Sequence, residues 1–310
     1  MSSFSLTSAY VPGERITREQ LLKQGIISLS SYANLKKNGC NFVPTETKLT
    51  GLEMIYQVFD RLFADYSGGR SHIRYLVMVN RTISIPYSVD VYGNIRHRYG
   101  LDNAIGFTVK DLACASFFMG LSVCESILKY RNTSEGSAIL FSVEKEPGLF
   151  SRNGEDLFLS GDASVAMLVT NNNEYNQILA INVIEEQSRI PMEEIGSDAE
   201  FTMNTNSFLT LAKLVQKTMK DAKLNMEDIN LIIPSNSLRE TWLKLALILG
   251  FPEGKLFMDG FQEYGHISNC DLVLNYRIAY DKGLIRSGDL LLLISTGEGG
   301  GSGCAVVRKM

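Results

Sequence analysis

The sequence predicts an α/β protein assembled from two equivalent halves. Three observations predict it. Short apolar runs alternate with stretches of helical spacing, the order of these segments occurs twice, and each copy closes on a small-residue turn that leads into an apolar strand. At 310 residues the chain is long enough to bury a large core, as one big domain or as two fused halves. We divide it into residues 1–170 and 171–310.

In the first half, KLTGLEMIYQVFDRLFADY (48–66) has helical spacing and a threonine cap signal. YLVMV (75–79) reads as a buried strand, SVDVYGNIRHRYG (88–100) as a helix and AIGFTV (104–109) as a short strand. A helix then runs from near Cys114 to about Lys129. The strands AILFSVE (138–144) and SVAMLVT (164–170) follow, the latter after the turn Ser160-Gly161-Asp162. Residues 171–205 are polar (TNNNEYNQ, EEQSRIPMEEIGSDAE) and read as an insertion suited to covering a pocket mouth.

The second half repeats the order. SFLTLAKLVQKTMKDAKL (207–224) is an amphipathic helix and INLIIP (229–234) a strand. LRETWLKLALILG (238–250) is a helix closed by glycine, KLFMD (255–259) a short strand and ISNCDLVLNYRIAYDKGL (267–284) a helix. The strands DLLLLIST (289–296) and GCAVVRK (303–309) end the chain. Apolar strands alternating with helices imply mostly parallel sheets covered on both faces. Two such halves pack around a pseudo-dyad. The helix start at Cys114 then meets its equivalent, Tyr264-Gly265-His266-Ile267-Ser268.

Composition excludes several functions. A net charge of −4 gives no reason to expect nucleic acid or an anionic membrane as partner. No apolar run reaches the roughly 18 residues of a membrane span, and the N-terminal residues lack a signal-peptide pattern, so the expected location is cytoplasmic. The five cysteines (Cys40, Cys114, Cys124, Cys270, Cys304) are scattered and odd in number, which suggests neither a disulfide framework nor a zinc site. No metal is expected. With only three histidines (His72, His97, His266), any imidazole base is one of them.

The stretch KDLACASF (110–117) places Cys114 among small residues at a helix start. Unpaired amides and the helix dipole favour a thiolate there, and Ala113 and Ala115 leave room for a substrate. On position alone, Cys114 reads either as a nucleophile or as a buried small hydrophobe, as Cys124 and Cys304 do.

The segment AIGFTVKDLACASFFMGLSVCESIL (104–128) resembles the nucleophile region of the β-ketoacyl-acyl-carrier-protein synthase III family, within the thiolase-like superfamily. FLSGDASVAMLV (158–169), INLIIPSNSLRE (229–240) and STGEGGGSGCAVVR (295–308) are similar to further family segments, in the family's order. The resemblance implies a thiolase-like duplicated αβαβα sandwich. It also implies an acyl-Cys intermediate on Cys114, loaded from acyl-CoA or a phosphopantetheinyl acyl carrier protein, with no tightly bound cofactor.

The family's Cys-His-Asn triad is altered here. Its histidine position is occupied by Ser235, in IPSNS, and its asparagine position by His266, in YGHIS. The usual pair stabilises the enolate left by decarboxylation. Ser235 is a weaker donor and no base, whereas His266 retains the capacity to activate Cys114 or deprotonate an acceptor. The loop Gly297-Glu298-Gly299 stands where the family supplies an oxyanion amide, from Glu298 or Gly299. Glu298 reads either as the group that orients His266 or as a solvent-facing residue.

Tyr87 falls in the region that shapes the family's acyl pocket, often across a dimer interface. His97 and His72 read as surface residues. Lys213, Lys217, Lys220 and Arg239 form either a docking patch for a carrier protein or coenzyme A phosphates, or a solvated helix face. Two functions follow. One is an acyltransferase or condensing enzyme of specialised-metabolite biosynthesis, acting as a homodimer or with a related subunit. The other is a degenerate, noncatalytic partner in such a heterodimer.

Overall fold

The computed structural model describes the chain outside residues 1, 82–83, 131–135, 155–157, 173–174, 186–196, 238 and 298–299. Its first half runs β1 (Ser3–Tyr10), β2 (Arg15–Thr17), α1 (Arg18–Lys23), α2 (Leu29–Lys37), β3 (Phe42–Pro44), α3 (Gly51–Asp65) and β4 (Ile73–Val79). It continues through α4 (Val91–Tyr99), β5 (Ile105–Val109), α5 (Ser116–Tyr130), β6 (Ser137–Glu144), β7 (Asn153–Gly154), β8 (Phe158–Leu159) and β9 (Ala163–Thr170). The second half contains β10 (Asn176–Glu185), α6 (Ser197–Ala222), β11 (Leu231–Pro234), α7 (Arg239–Leu249) and α8 (Asp259–Tyr264). It ends with α9 (Asp271–Asp281), β12 (Leu290–Thr296) and β13 (Gly301–Arg308).

Local chemistry explains the sharp helix starts. At α3, the Thr50 side chain accepts from the Glu53 amide while Glu53 accepts from the Thr50 amide, a reciprocal cap that contributes about 1 kcal/mol. Met54, Ile55, Val58, Phe59 and Leu62 then fall on one buried face. Asp90 caps α4, and Gly100, at φ 64°, closes it in a left-handed conformation that glycine adopts without steric cost.

Side-chain alternation along the strands builds the layers. Leu76, Met78, Ile139, Phe141 and Leu168 pack outward against α3 and α4. Their neighbours Val77, Val79, Leu140, Val165 and Met167 face inward, against Phe117 and Leu121 of α5 and Leu272 and Val273 of α9. From the other side, Leu291, Leu293, Ala305 and Val307 join that same central cluster, while Leu292, Ile294 and Val306 pack against α6 and α7. The expected order of helix, sheet, helix, sheet, helix is thereby realised, with α5 and α9 between the two sheet halves.

Several expectations are corrected. The sheet is mixed rather than mostly parallel: β4 pairs parallel with β5 and β6, and β11 with β12, but the other main-sheet neighbours are antiparallel. Among the described residues no long helix separates β6 from β9 or β12 from β13, and each strand returns against its predecessor instead of crossing over. The two half-sheets also join into one nine-stranded ladder, β11-β12-β13-β10-β1-β9-β6-β4-β5, through the short β1–β10 pairing at Ser3 and Phe4. Part of the polar 171–205 segment is the interior strand β10, signalled by the apolar run ILAINVI; residues 186–196 lie outside the described residues. KLFMD forms only an isolated bridge from Leu256 to Ile232, after a 3-10 turn at Glu253–Lys255.

Candidate active site

Two short turns face each other where α5 and α9 begin. Leu112–Ser116 and Ile267–Asp271 share one backbone course. The second residue of each is left-handed, Ala113 at φ 47° and Ser268 at φ 46°, conformations that cost non-glycine residues about 1–3 kcal/mol. In each, the fourth amide bonds the first carbonyl: Ala115 N–H to Leu112 at 3.0 Å and Cys270 N–H to Ile267 at 2.9 Å. In each, the fifth side chain accepts from the first amide, Ser116 Oγ from Leu112 at 3.2 Å and Asp271 Oδ1 from Ile267 at 2.7 Å. By this equivalence Cys114 corresponds to Asn269 and Ser116 to Asp271.

The difference in the fifth residue matters. A serine side chain has a single oxygen, which its cap occupies at one position, whereas a carboxylate has a second oxygen to offer elsewhere. Asp271 Oδ2 accepts from His266 Nδ1 at 2.6 Å and from the Asn236 amide at 2.7 Å. An ionised carboxylate only accepts, so Nδ1 carries a proton and Nε2 faces the thiol. Cys114 Sγ lies 3.1 Å from His266 Nε2, and the Ser268 hydroxyl donates to the same sulfur at 3.4 Å. Cys114, His266 and Asp271 are all buried, His266 to within 1% of complete.

Burial alone pulls the His266 pKa down. The negative charges of Cys114 and Asp271, with their hydrogen bonds, outweigh it and hold the value well above that of an ordinary histidine. The remaining cysteines differ in kind. Burial pushes Cys40 up to about 11 and Cys304 up to about 12, and raises Cys124 and Cys270 as well. They pack as small apolar groups.

The structure brings Cys114 and His266 together and adds Asp271, which the sequence pattern does not single out. An aspartate between Cys270 and Leu272, opening an apolar helix, is nonetheless an available signal. Among the described residues Asp271 is the carboxylate on His266 Nδ1; Glu298, for which the sequence leaves an orienting role open, and Gly299 lie outside the described residues. Gly297 packs closely on the nucleophile turn: a Cβ there would stand 2.5 Å from Leu112 O and 3.0 Å from Cys114 N. Ser235 is fully buried at the end of β11, next to Asn236, and its hydroxyl has no hydrogen-bond partner among the described residues.

Other expected site residues lie apart from this cluster. Tyr87 is 82% exposed. His72 and His97 are at the surface. Lys213, Lys217 and Lys220 are exposed on α6, where Lys217 pairs with Asp221, and Arg239 lies 3.7 Å from Glu253. No group of three metal-ligating side chains occurs among the described residues, and no helix among them is long and apolar enough to cross a membrane.

Chemically, the arrangement can serve as a nucleophile, a base and a group orienting that base, set at the N-terminal ends of two helices. Residues 219–309 match the family model for the C-terminal part of 3-oxoacyl-[acyl-carrier-protein] synthase III. The chain is 25% identical over 224 residues to β-ketoacyl-[acyl-carrier-protein] synthase III of Clostridium tetani, covering 64% of this chain and 66% of the relative. For the Aquifex aeolicus protein of the same name the values are 23% over 202 residues, 63% and 64%. These matches span just under two thirds of the relatives' lengths. Among solved structures, the acyltransferase ChlB3 superposes with a TM-score of 0.85 at 18% identity, over 100% of this chain and 98% of that one. The Aquifex aeolicus synthase III structure gives 0.84 at 19%, over 99% and 100%.

Proposed function

From a chain that belongs to the ketosynthase III-like family of the thiolase-like fold, we propose an acyltransferase that passes an acyl group from a thioester through Cys114 to an oxygen or nitrogen acceptor. The observation that carries it is the line from Cys114 Sγ to His266 Nε2 at 3.1 Å and from His266 Nδ1 to Asp271 at 2.6 Å.

In the first step the Cys114 thiolate attacks the thioester carbonyl of acyl-CoA or an acyl carrier protein. The carbonyl π pair moves to oxygen, where the Cys114 amide and the 297–299 turn are the proposed donors. Collapse expels the pantetheine thiolate, which takes the proton from the His266 imidazolium, leaving acyl-Cys114 and neutral imidazole. In the second step His266 removes the proton of the acceptor hydroxyl or amine as it attacks the acyl carbon. Collapse returns Cys114 as thiolate beside imidazolium. Asp271 keeps Nδ1 protonated throughout, so Nε2 is the only nitrogen that exchanges protons.

The replaced triad positions favour heteroatom acceptors over carbon. Decarboxylative condensation needs two strong donors on the malonyl carbonyl, and here the single imidazole is committed to Cys114 while Ser235 offers only a hydroxyl. A buried, fully hydrogen-bonded Cys-His-Asp set also speaks against a degenerate partner subunit, which has no use for a base beside its cysteine. In this reading the enzyme works in the cytoplasm in specialised metabolism, as a homodimer or with a related subunit, and an acidic carrier protein or the phosphates of coenzyme A meet the exposed α6 lysines. Single-turnover discharge tests it. Acyl-loaded enzyme mixed with alcohols, amines or a malonyl thioester should lose its acyl group to the first two. Discharge by the malonyl thioester alone, with release of carbon dioxide, would make it a condensing enzyme instead.

A further inference from the structure

We propose that Asn269 is a positioning residue that fixes Cys114 against His266 by occupying the buried Glu144 carboxylate and the carbonyl beneath the nucleophile turn. The inference rests on the assignment of Cys114 as nucleophile and adds to it a residue that touches neither substrate nor sulfur.

Asn269 stands at the position in the second turn that Cys114 holds in the first, so the pseudo-dyad aims its side chain back at the nucleophile's own helix. It is completely buried, and both ends of its amide are used. Its Oδ1 accepts from the Phe117 amide, in the first turn of α5, at 2.9 Å. Its Nδ2 donates to the Ala113 carbonyl at 3.2 Å and to Glu144 Oε1 at 3.0 Å. One side chain thereby ties the residue before Cys114, the helix after it and the end of β6.

Two physical consequences follow. Ala113 holds a left-handed conformation that a non-glycine residue keeps only when its surroundings over-determine it. Ala113 O to Asn269, Cys114 O to Ser295 Oγ at 3.1 Å and Gly297 packed on Leu112 are the restraints that do so. Loss of the first lets the turn relax and carries Sγ away from Nε2. The second consequence is electrostatic. Glu144 is 2% exposed and also accepts from the Arg81 amide at 2.9 Å. The Asn269 amide bridges this carboxyl and the nucleophile turn, supplying one of the hydrogen bonds that a buried carboxyl requires. An alanine would do neither. Asparagine supplies one acceptor and two donor hydrogens in a single plane, the set this position uses.

Iodoacetamide alkylation of Cys114 in the full chain, followed across pH by peptide mass, reads the thiolate without any acyl donor. Asn269→Asp preserves shape and the bond from Phe117 but removes the donor and sets a second carboxylate against Glu144. It should alkylate about tenfold more slowly at neutral pH, with the profile displaced upward by about one unit. Asn269→Ala should slow alkylation similarly. Glu144→Gln/Asn269→Asp moves the donor to the other partner and removes the opposed carboxylate but returns no donor to the Ala113 carbonyl, so it should recover only part of the rate while its pH profile moves back toward that of wild type. With a donor that loads, the saturated loading rate should fall while the half-saturating concentration stays constant.

The proposal is overturned if the single variants alkylate like wild type and only melt earlier. It is overturned too if the pH profile of the double variant stays displaced like that of Asn269→Asp, or if neither single variant folds, since Asn269 is then a folding residue. Failure of wild type to load any acyl group would sink the acyltransferase reading and leave this measurement standing.

Discussion

The turns that open α5 and α9 are copies of one backbone carrying different chemistry. Both pass through a left-handed second residue and both cap their first amide with the fifth side chain. The first copy holds Cys114 and a serine cap; the second holds Asn269 and an aspartate cap, with His266 just ahead of it. The duplicated fold brings two helix starts together, and differences at three positions give one the proposed nucleophile and the other the proposed base. The asymmetry resides in side chains, because the backbones agree.

Substitutions that erase the second turn's contribution should have the largest effects. His266→Ala removes the base and should lower acyl loading and transfer by about 10⁴-fold in a stopped-flow thiol-release assay. Asp271→Asn retains the cap geometry but not the charge, and should cost about 10²–10³-fold, milder than loss of the base itself.

Asp271→Asn also carries a pH signature. Asp271 is one of the groups that raise the His266 pKa, so the variant's value falls. Transfer from acyl-Cys114 requires neutral imidazole, and there the Asp271 carboxylate still raises His266 while the Cys114 charge is gone; in the variant that limb moves to lower pH. Stability follows the same sign. A raised folded-state pKa contributes stability fully present below the unfolded value of about 6.5 and lost as pH rises through the folded one. Urea denaturation should therefore show the gap between wild type and Asp271→Asn narrowing from pH 6 upward.

Gly297→Ala probes the other side of the first turn. Its Cβ would press on Leu112 O and Cys114 N, so stability should fall by about 1–3 kcal/mol and loading should slow with it. Cys270→Ala makes the second turn more like the first, since Cys270 corresponds to Ala115. It should leave loading unchanged and cost about 1 kcal/mol in chemical denaturation. A loss of loading in this variant would mean that the two buried sulfurs share the work.

Most elements were legible because each has a strong local cause: a capped amphipathic helix at Thr50, or a run such as YLVMV buried on both faces. Strand direction was not legible. It depends on whether a crossover helix intervenes, and the short connections before β9 and β13 produce antiparallel returns. β10 was hidden because its polar flanks outweighed ILAINVI. At the site, position at a helix start left Cys114 open; the resemblance of KDLACASF and YGHIS to the family's triad segments singled out Cys114 and His266, with only three histidines to choose from. Asp271 did not emerge, because an acid in a helix's first turn is ordinary dipole chemistry until a histidine is found on its second oxygen. The place of Asn269 is a fact of the pseudo-dyad and is visible only when both turns are superposed.

The central claim is that Cys114 carries the acyl group, and intact mass after incubation with a panel of acyl-CoA and acyl-carrier-protein thioesters tests it most directly. A gain equal to one acyl group, present in wild type and absent in Cys114→Ala, is the expected result. No gain with any donor, or the same gain in Cys114→Ala, would contradict it.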